Sequence, residues 1–260
     1  MSAPTLPIPS AADRARTGRL AGRLAVVTGG AQGIGAEIAR TFAAHGARVA
    51  VLDVLAERAR THADAIGGIA IAVDLREPGE VQRAMSEAIG ELGGIDILVN
   101  NAGVLRFADI LDITVDDWDL TFDVNVRAML LTTQAAVPTM RERSGGRIVN
   151  MASMGGKTGA PGQAHYAASK AAVISFTRVC AMEFGRWNIN VNCICPGYVL
   201  TEMGAATRTP EKVAAWTAKS PLGRLAETTD VANMALFLAV DESSYCTGQA
   251  MNVSGGMVMH

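Results

Sequence analysis

The chain has 260 residues, of which 49% are hydrophobic and 18% are charged. This length suits one large α/β domain, and the composition is too apolar for a disordered polypeptide. The 23 basic and 25 acidic residues give a formal net charge of −2 without a long block of like charge. No apolar run approaches the roughly 18 residues that cross a bilayer. We therefore expect a soluble cytoplasmic protein that binds neither nucleic acid nor membrane.

The first 20 residues differ in composition from the rest of the chain. They contain three prolines and several arginines but no apolar core such as a secretory signal requires. The arginines leave a transit peptide as an alternative, against which Asp13 and the prolines argue because they spoil an amphipathic helix. We predict a flexible N-terminal extension over residues 1–20 and a single domain over residues 21–260.

From residue 24 onward, short Val/Ile/Leu-rich runs alternate with longer segments of helical periodicity. This alternation predicts βαβ units, and the almost continuously apolar runs are typical of strands covered on both faces. The sequence thus predicts an α/β fold: a Rossmann-like, doubly wound sheet of seven parallel strands with helices on both faces. The predicted strands span residues 24–28, 48–52, 69–73, 95–99, 147–151, 189–194 and 250–253, and the predicted helices span about 34–45, 55–65, 78–92, 115–142, 162–185 and 228–240.

The cysteines and histidines do not form a recognisable metal or disulfide pattern. The four cysteines are too sparse for a disulfide framework and include no C-x-x-C pair, and the four histidines lack ligand spacing. We expect reduced, mostly buried thiols and no catalytic metal.

A glycine-rich turn follows the first predicted strand and opens a helical segment. Glycine allows close approach of the backbone to a pyrophosphate, and the free N–H groups of the helix start stabilise its charge. The spacing of the glycines differs from G-x-G-x-x-G and would also suit a plain tight turn. We predict that the turn binds a dinucleotide through Gly29, Gln32, Gly33, Ile34 and Gly35.

Asp53 ends the second predicted strand, 18 residues after Gly35. An acidic side chain at about this interval accepts hydrogen bonds from the adenosine ribose. It would repel a 2′-phosphate, and neither Ala31 nor Gln32 supplies a compensating cation. The sequence therefore favours NAD over NADP, with a solvated strand-end aspartate as the alternative.

The next two strand ends lie at the same edge of the predicted sheet. Asp74 and Leu75 follow the third strand, and Asn101, Ala102 and Gly103 follow the fourth. We predict that all five line the cofactor site and that Asp74 holds the adenine amino group.

Tyr166 and Lys170 stand four residues apart in a helix-forming segment, so both project from one helical face. A tyrosine ionises near pH 10, whereas a useful general base titrates nearer the working pH. We expect the Lys170 ammonium, together with an oxidised nicotinamide ring, to lower the pKa of Tyr166.

Two further polar residues are candidates for the same site. Ser153 follows the fifth predicted strand, where its hydroxyl is expected to polarise the substrate oxygen. Asn125 is an amide inside an otherwise apolar helical stretch, where a buried polar group needs partners. Taken alone, Asn125 is equally compatible with a core asparagine that bends the helix.

In combination, these residues resemble the short-chain dehydrogenase/reductase family over residues 21–256. The resemblance is carried by TGGAQGIG, Asp53, Asp74-Leu75, NNAG, Asn125, Ser153, YAASK and PGYVLT, all in the family's order. It implies strand order 3-2-1-4-5-6-7, hydride transfer, Tyr166 as general acid/base, Ser153 on the substrate oxygen, and Lys170 on the nicotinamide ribose. It also implies an Asn125-bound water and a homotetramer that pairs the helices near 115–142 and 162–185. Pro196, Gly197, Val199 and Thr201 are implied to grip the carboxamide and pyrophosphate, although Thr201 also suits a helix cap.

We predict an NAD-dependent oxidoreductase that interconverts a secondary alcohol and a ketone. The alternative within enzymes is an NADPH-dependent 3-oxoacyl-thioester reductase, because GAPGQAHYAASKA is similar to segments of that branch. From another class, a non-catalytic dinucleotide sensor is the alternative. The substrate pocket is expected between residues 154–163, Tyr198 and residues 203–220, where Trp216 either covers the substrate or packs as part of a lid.

Overall fold

The computed structural model describes residues 18–260, except for the side chains of residues 206 and 207. Its strands are β1 (Leu24–Thr28), β2 (Arg48–Asp53), β3 (Ile69–Ala72), β4 (Ile97–Asn100), β5 (Gly146–Met151), β6 (Ile189–Pro196) and β7 (Ala250–Val253). They form one sheet in the order β3-β2-β1-β4-β5-β6-β7, and all neighbouring pairs are parallel. The predicted fold class and strand order are confirmed.

The helices fill the connections between the strands. They are α1 (Gly33–Ala44), α2 (Ala56–Ile66), α3 (Pro78–Leu92), α4 (Val115–Phe122), α5 (Ala128–Glu142), α6 (Gly155–Thr158), α7 (Ala164–Phe184), α8 (Pro210–Ala218) and α9 (Thr228–Ala239). The predicted helix over 115–142 is interrupted, because Asp123–Arg127 forms a π-helical turn between α4 and α5. The helices α6 and α8 were not predicted.

Two hydrophobic clusters cover the two faces of the sheet. Along β1, Val26 packs in a cluster with α3 and α5, whereas Val27 packs in the opposite cluster with α1 and α9. This alternation follows from the strand geometry, in which successive side chains point to opposite faces. It accounts for the near-absence of polar residues in β1, since both faces are buried.

The predicted N-terminal extension falls mostly outside the described residues, which begin at 18. Its last residue, Leu20, is buried, and its amide donates to the His45 carbonyl at 2.8 Å. The packed part of the chain therefore includes Leu20. Within residues 18–260, none of the helices combines the length and apolar character needed to span a membrane.

Asp96, directly before β4, ties the start of this strand to β1 and to the residue after α5. Its buried carboxylate accepts a hydrogen bond from the Leu24 amide at 2.9 Å and is paired with Arg143 at 2.8 and 3.1 Å. The same contact raises the pKa of Arg143 through its hydrogen bond with Asp96. Removing this acceptor leaves a buried amide unpaired, which is more damaging than losing an exposed ion pair.

We expect Asp96→Ala to lower the free energy of unfolding by about 3 kcal/mol, because a buried charged acceptor with several partners is lost. Urea unfolding followed by circular dichroism measures this change. The matched control is Glu87→Ala, which removes the exposed partner of Arg83 and is expected to cost less than about 1 kcal/mol. Equal losses for the two variants would contradict the role of Asp96.

Candidate active site

The glycine-rich turn between β1 and α1 is shaped for close approach of a ligand. Gly29 and Gly33 adopt φ of 63° and 56°, a region that favours glycine. A Cβ at Gly35 would lie 2.1 Å from the Gly29 carbonyl oxygen, so α1 begins directly against the turn. The side chain of Gln32, at the N-cap, makes no capping hydrogen bond. The backbone donors at this helix start are therefore suited to an anion such as a pyrophosphate.

Asp53 closes the turn from the end of β2. Its buried carboxylate accepts hydrogen bonds from the amides of Ala31 and Leu55, each at 3.0 Å. These bonds hold the negative charge against the glycine turn, where the ribose of a dinucleotide is expected.

Arg58 supplies a cation at this place, which the sequence analysis missed. It lies on α2 and donates to the side-chain oxygen of Gln32 at 2.6 Å. The signal was present in the sequence, since Arg58 falls in the first turn of the helix that follows Asp53. The guanidinium thus lies beside the turn that was thought to lack a basic side chain.

Of the other residues predicted to line the cofactor site, Asn101 and Ala102 bond to the β1 end, whereas Asp74 pairs with an arginine. Asn101 ties its own segment to the turn, because its side-chain amide donates to the carbonyls of Thr28 and Gly29, both at 3.0 Å. Ala102 joins the same network through its amide and the Thr28 hydroxyl. Asp74 instead forms a short ion pair with Arg76, whose hydrogen bond lowers the pKa of the carboxyl group. The pair with Arg76 takes up part of the acceptor capacity of this carboxylate, and its predicted contact with the adenine amino group stays a prediction.

Leu75 and Gly103 lie at the same edge. Leu75 is buried beneath the site and lines a small cavity with Asn125. Gly103 passes close to the polar groups of the site, because a Cβ there would lie 3.1 Å from Asn125 Oδ1 and 3.4 Å from Lys170 Nζ. A side chain at this position would crowd both groups.

The loop after β6 returns to the glycine turn. Pro196 ends the strand, and the Gly197 amide donates to the Val253 carbonyl at 2.9 Å. Thr201 lies beside the turn, since a Cβ on Gly33 would be 3.5 Å from its methyl carbon. Thr201 is the N-cap of the 3₁₀ turn Glu202–Thr207 but makes no capping hydrogen bond, so the capping alternative is not realised.

Val199 lies in the same loop but bonds to a different segment, at Ala226. It forms an isolated parallel bridge with Ala226. The Ala226 carbonyl accepts from the Leu200 amide, and the Ala226 amide donates to the Tyr198 carbonyl, each at 3.0 Å. Next to Val199, Tyr198 stacks on Trp216 with ring centroids 4.4 Å apart and planes 12° apart. Trp216 therefore packs against the loop after β6, and this contact ties α8 to the end of the strand.

The three predicted catalytic side chains converge at the carboxyl end of β5. Ser153 is hydrogen-bonded to the half-buried Tyr166 phenol, and its hydroxyl oxygen accepts from the Gly155 amide at 3.1 Å. Lys170, one turn further along α7, is buried, and its Nζ donates to the Met151 carbonyl at 2.7 Å. The same Nζ lies 5.7 Å from the centre of the Tyr166 ring.

The predicted lowering of the phenol pKa, by Lys170 together with an oxidised nicotinamide ring, stays a prediction. In the protein itself, burial raises the pKa of Tyr166, and the hydrogen bond from Ser153 offsets this only in part. The physical reason is desolvation, which disfavours the phenolate and, at Lys170, also disfavours the ammonium. Burial lowers the pKa of Lys170 from 10.5 to about 8.

Asn125 lies in the π-helical turn, where its buried side chain is fully engaged. Its oxygen accepts from the Val104 amide at 2.8 Å, and its nitrogen donates to the Val104 carbonyl at 3.1 Å and to the Ser169 hydroxyl at 3.0 Å. The asparagine therefore fastens the segment after β4 to α7. A cavity of about 10 Å³ beside it, lined also by Thr132 and Met151, has room for about one water molecule. The water-binding role implied by the resemblance stays a prediction.

In the part of the chain that the structure describes, the cysteines and histidines form neither a metal-ligand cluster nor a disulfide. Across residues 18–260, no group of three or more His, Cys, Asp or Glu side chains is placed to hold a metal ion. All four cysteines are free, and three are buried. Burial raises the pKa of Cys180 to about 12, which keeps it a thiol at neutral pH.

Comparison with known proteins extends this description. A family model described as enoyl-(acyl carrier protein) reductase matches residues 29–258. The oxidoreductase UcpA of Salmonella typhi is 43% identical over 255 residues, which cover 93% of this chain and 97% of that protein. The 3-oxoacyl-[acyl-carrier-protein] reductase FabG of Thermotoga maritima is 39% identical over 248 residues, which cover 93% of this chain and all of that protein.

The fold is also similar to solved structures. A putative short-chain alcohol dehydrogenase from Sinorhizobium meliloti superposes with a TM-score of 0.88 at 35% identity, covering 92% of this chain and 97% of that one. Sequence, fold and family model agree, and the family uses a nicotinamide dinucleotide. The chain therefore belongs to the short-chain dehydrogenase/reductase family of oxidoreductases.

Proposed function

We propose that this chain is an NAD-dependent dehydrogenase that interconverts a secondary alcohol and a ketone. The observation that carries the proposal is that Ser153 and Tyr166 both flank Gly155, where a Cβ would lie 3.5 Å from the Ser153 hydroxyl oxygen and 3.7 Å from Tyr166 Cε1. Buried Lys170 lies one helical turn from Tyr166, at the same sheet edge as the glycine turn. Two hydroxyl groups and a cation that meet at such an edge can bind and protonate a single substrate oxygen.

The residues present fit a bound dinucleotide. The amides of the turn at Gly33 would hold the pyrophosphate, Asp53 the adenosine ribose and Lys170 the nicotinamide ribose. A bound nicotinamide dinucleotide supplies the hydride acceptor in alcohol oxidation and the hydride donor in ketone reduction. Substrate binding and proton transfer are carried out by side chains of the protein.

Ser153 and Tyr166 divide the work on the substrate oxygen. Ser153 donates a hydrogen bond that polarises the oxygen, and Tyr166 moves the proton. Because burial raises the pKa of the phenol, Tyr166 is protonated at neutral pH and ready to donate to a ketone oxygen. The protein groups by themselves thus favour Tyr166 as the acid of ketone reduction, and the reverse direction needs added positive charge beside the phenol.

The choice of NAD rests on Asp53, with Arg58 as the counter-argument. The Asp53 carboxylate is held against the turn and would repel a 2′-phosphate. Arg58 lies at the same turn and is able to attract one. The second candidate, an NADPH-dependent 3-oxoacyl-thioester reductase, is favoured by Arg58 and by the similarity to the Thermotoga maritima reductase. The third, a non-catalytic sensor, is disfavoured by the complete catalytic set.

We also propose that the protein is a cytoplasmic homotetramer. Free thiols at all four cysteines are typical of a reducing compartment. Apolar side chains are exposed on the outer faces of the long helices α5 and α7, at Leu130, Val179 and Met182, the last of which is 76% exposed. Contact with further copies of the chain would bury these side chains.

We expect Tyr166→Phe to lower kcat by about 10²- to 10⁴-fold, because the proton donor is lost while the ring remains. Turnover is followed at the NADH absorbance, with a substrate first identified from a panel of alcohols and ketones. Tyr245→Phe is the matched control, since Tyr245 is fully exposed and its change should leave kcat unaltered. If Tyr166→Phe kept most of the wild-type turnover, the assignment of the proton donor would be wrong.

Replacing Asp53 tests the choice of cofactor. We expect the wild type to prefer NAD, and Asp53→Asn to shift the ratio of kcat/KM values for NAD and NADP toward NADP by about tenfold, because the repelling charge is removed while an acceptor remains. Arg58→Ala is measured in parallel. A wild type that prefers NADP and loses this preference in Arg58→Ala would support the thioester-reductase alternative instead.

We expect Lys170→Met to abolish activity but to raise the free energy of unfolding at pH 7 by about 2 kcal/mol, because the cost of burying an ammonium exceeds the hydrogen bond lost at Met151. The folded-state pKa of about 8 lies below the ordinary 10.5, so the wild type gains stability as the pH rises between these values. The advantage of the variant should therefore shrink by pH 10.

Urea unfolding at pH 7 and pH 10 measures this difference. Lys219→Met is the control, because Lys219 is exposed and its charge is already solvated. A Lys170→Met protein less stable than the wild type at pH 7 would contradict the predicted cost of burial.

A further inference from the structure

Lys157 is a half-buried lysine that the proposed reaction does not use. It lies in the one-turn helix α6, four residues after Ser153. Its Nζ donates to the Ala250 carbonyl at 3.1 Å, the Asn252 side-chain oxygen at 2.8 Å and the His260 main-chain oxygen at 2.8 Å. All three acceptors lie on β7 or in the segment that follows it, so one ammonium ties α6 to the last part of the sequence.

The other side of α6 touches the catalytic groups. The Gly155 amide donates to the Ser153 hydroxyl oxygen at 3.1 Å, and the Met154 amide to the Pro196 carbonyl at 3.0 Å. Gly156 packs directly on α7, since a Cβ there would lie 2.6 Å from the carbonyl carbon of Lys170. A displacement of α6 would therefore change the position of Ser153 relative to Tyr166.

The segment after β7 folds back on the strand that precedes it. The Asn252 side-chain amide donates to the carbonyl oxygens of Val258 at 3.1 Å and His260 at 3.3 Å, and the Val258 amide donates to the Ser254 hydroxyl at 3.2 Å. Val258 is buried, whereas Met259 is 81% exposed. Beyond Val258, the segment is thus held by polar contacts, and Lys157 makes one of them.

We propose that Lys157 is a positioning residue, which uses β7 and the segment 254–260 as a brace to keep α6 and Ser153 in register with Tyr166. The three acceptors are oxygen atoms in a half-buried place, so an ammonium that loses them is better solvated in water and would draw α6 outward. The inference rests on the proposed oxidoreductase function for its effect on turnover, but not for the contact itself.

The contact is tested without activity by digestion with a carboxypeptidase. Lys157→Met keeps the apolar stem and removes the donors, and Arg60→Met is the control because Arg60 is exposed and its ion pair is with the exposed Glu57. We expect residues 259 and 260 to be released at least about fivefold faster from Lys157→Met than from the wild type or the control, because the brace is freed more often. Equal release rates would overturn the contact, whatever the activity.

Kinetics test the consequence for Ser153. We expect Lys157→Met to lower kcat by about tenfold with KM for NAD within about twofold, because α6 contacts Ser153 but not the glycine turn. Lys157→Arg, which keeps a cation and donors, should recover most of kcat. A general loss of folding would instead lower the unfolding midpoint and would not be rescued selectively in kcat.

A variant that ends at Val258 completes a double-mutant cycle. If Lys157 acts through the brace, the double variant should lose no more kcat than Lys157→Met alone. Multiplicative losses would overturn the inference. If the wild type turns over nothing in the panel, the proposed function fails, and the digestion rates then decide the contact on their own.

Discussion

The burial of Lys170 is the constraint on which the arrangement of the site depends. Its ammonium is removed from water and bonded to the Met151 carbonyl at the end of β5. Such a charge is unfavourable in a core unless neighbouring elements are placed around it. Those elements are the Asn125 turn, the close pass of the chain at Gly103 and the face of α7 that carries Tyr166. The burial of the phenol itself sets the direction of the Tyr166 pKa.

The sheet topology brings the two halves of the site together. Parallel strands end at one edge, so the glycine turn after β1, Asp53 at the end of β2 and Ser153 after β5 lie on the same side of the molecule. The hydrogen bonds of Asn101 fasten the segment after β4 to the glycine turn, and those of Asn125 fasten the same segment to α7. A ligand that spans both halves therefore meets a surface that is already formed, which is how doubly wound sheets bind dinucleotides.

Much of this was predictable from the sequence because it depends on local pattern. The apolar runs predicted the strands, and the family resemblance implied their order in the sheet. The four-residue spacing of Tyr166 and Lys170 placed both on one helical face. What could not be predicted depends on tertiary contacts. The π-helical turn forms where Asn125 bonds Val104, which is distant in sequence, and Arg58 reaches Gln32 from another helix. The Asp74–Arg76 pair and the net effect of burial on Tyr166 likewise depend on side-chain placement.

The central claim is that burial, and not the nearby ammonium, governs the phenol of Tyr166 in the protein itself. Because the chain has only three tyrosines, ¹³Cζ-tyrosine NMR of the chain without cofactor resolves each one, and Tyr166→Phe assigns its signal. The account predicts that Tyr166 titrates above the ordinary value of 10.0. Titration of Tyr166 near neutral pH would contradict it, because Lys170 would then outweigh the effect of burial.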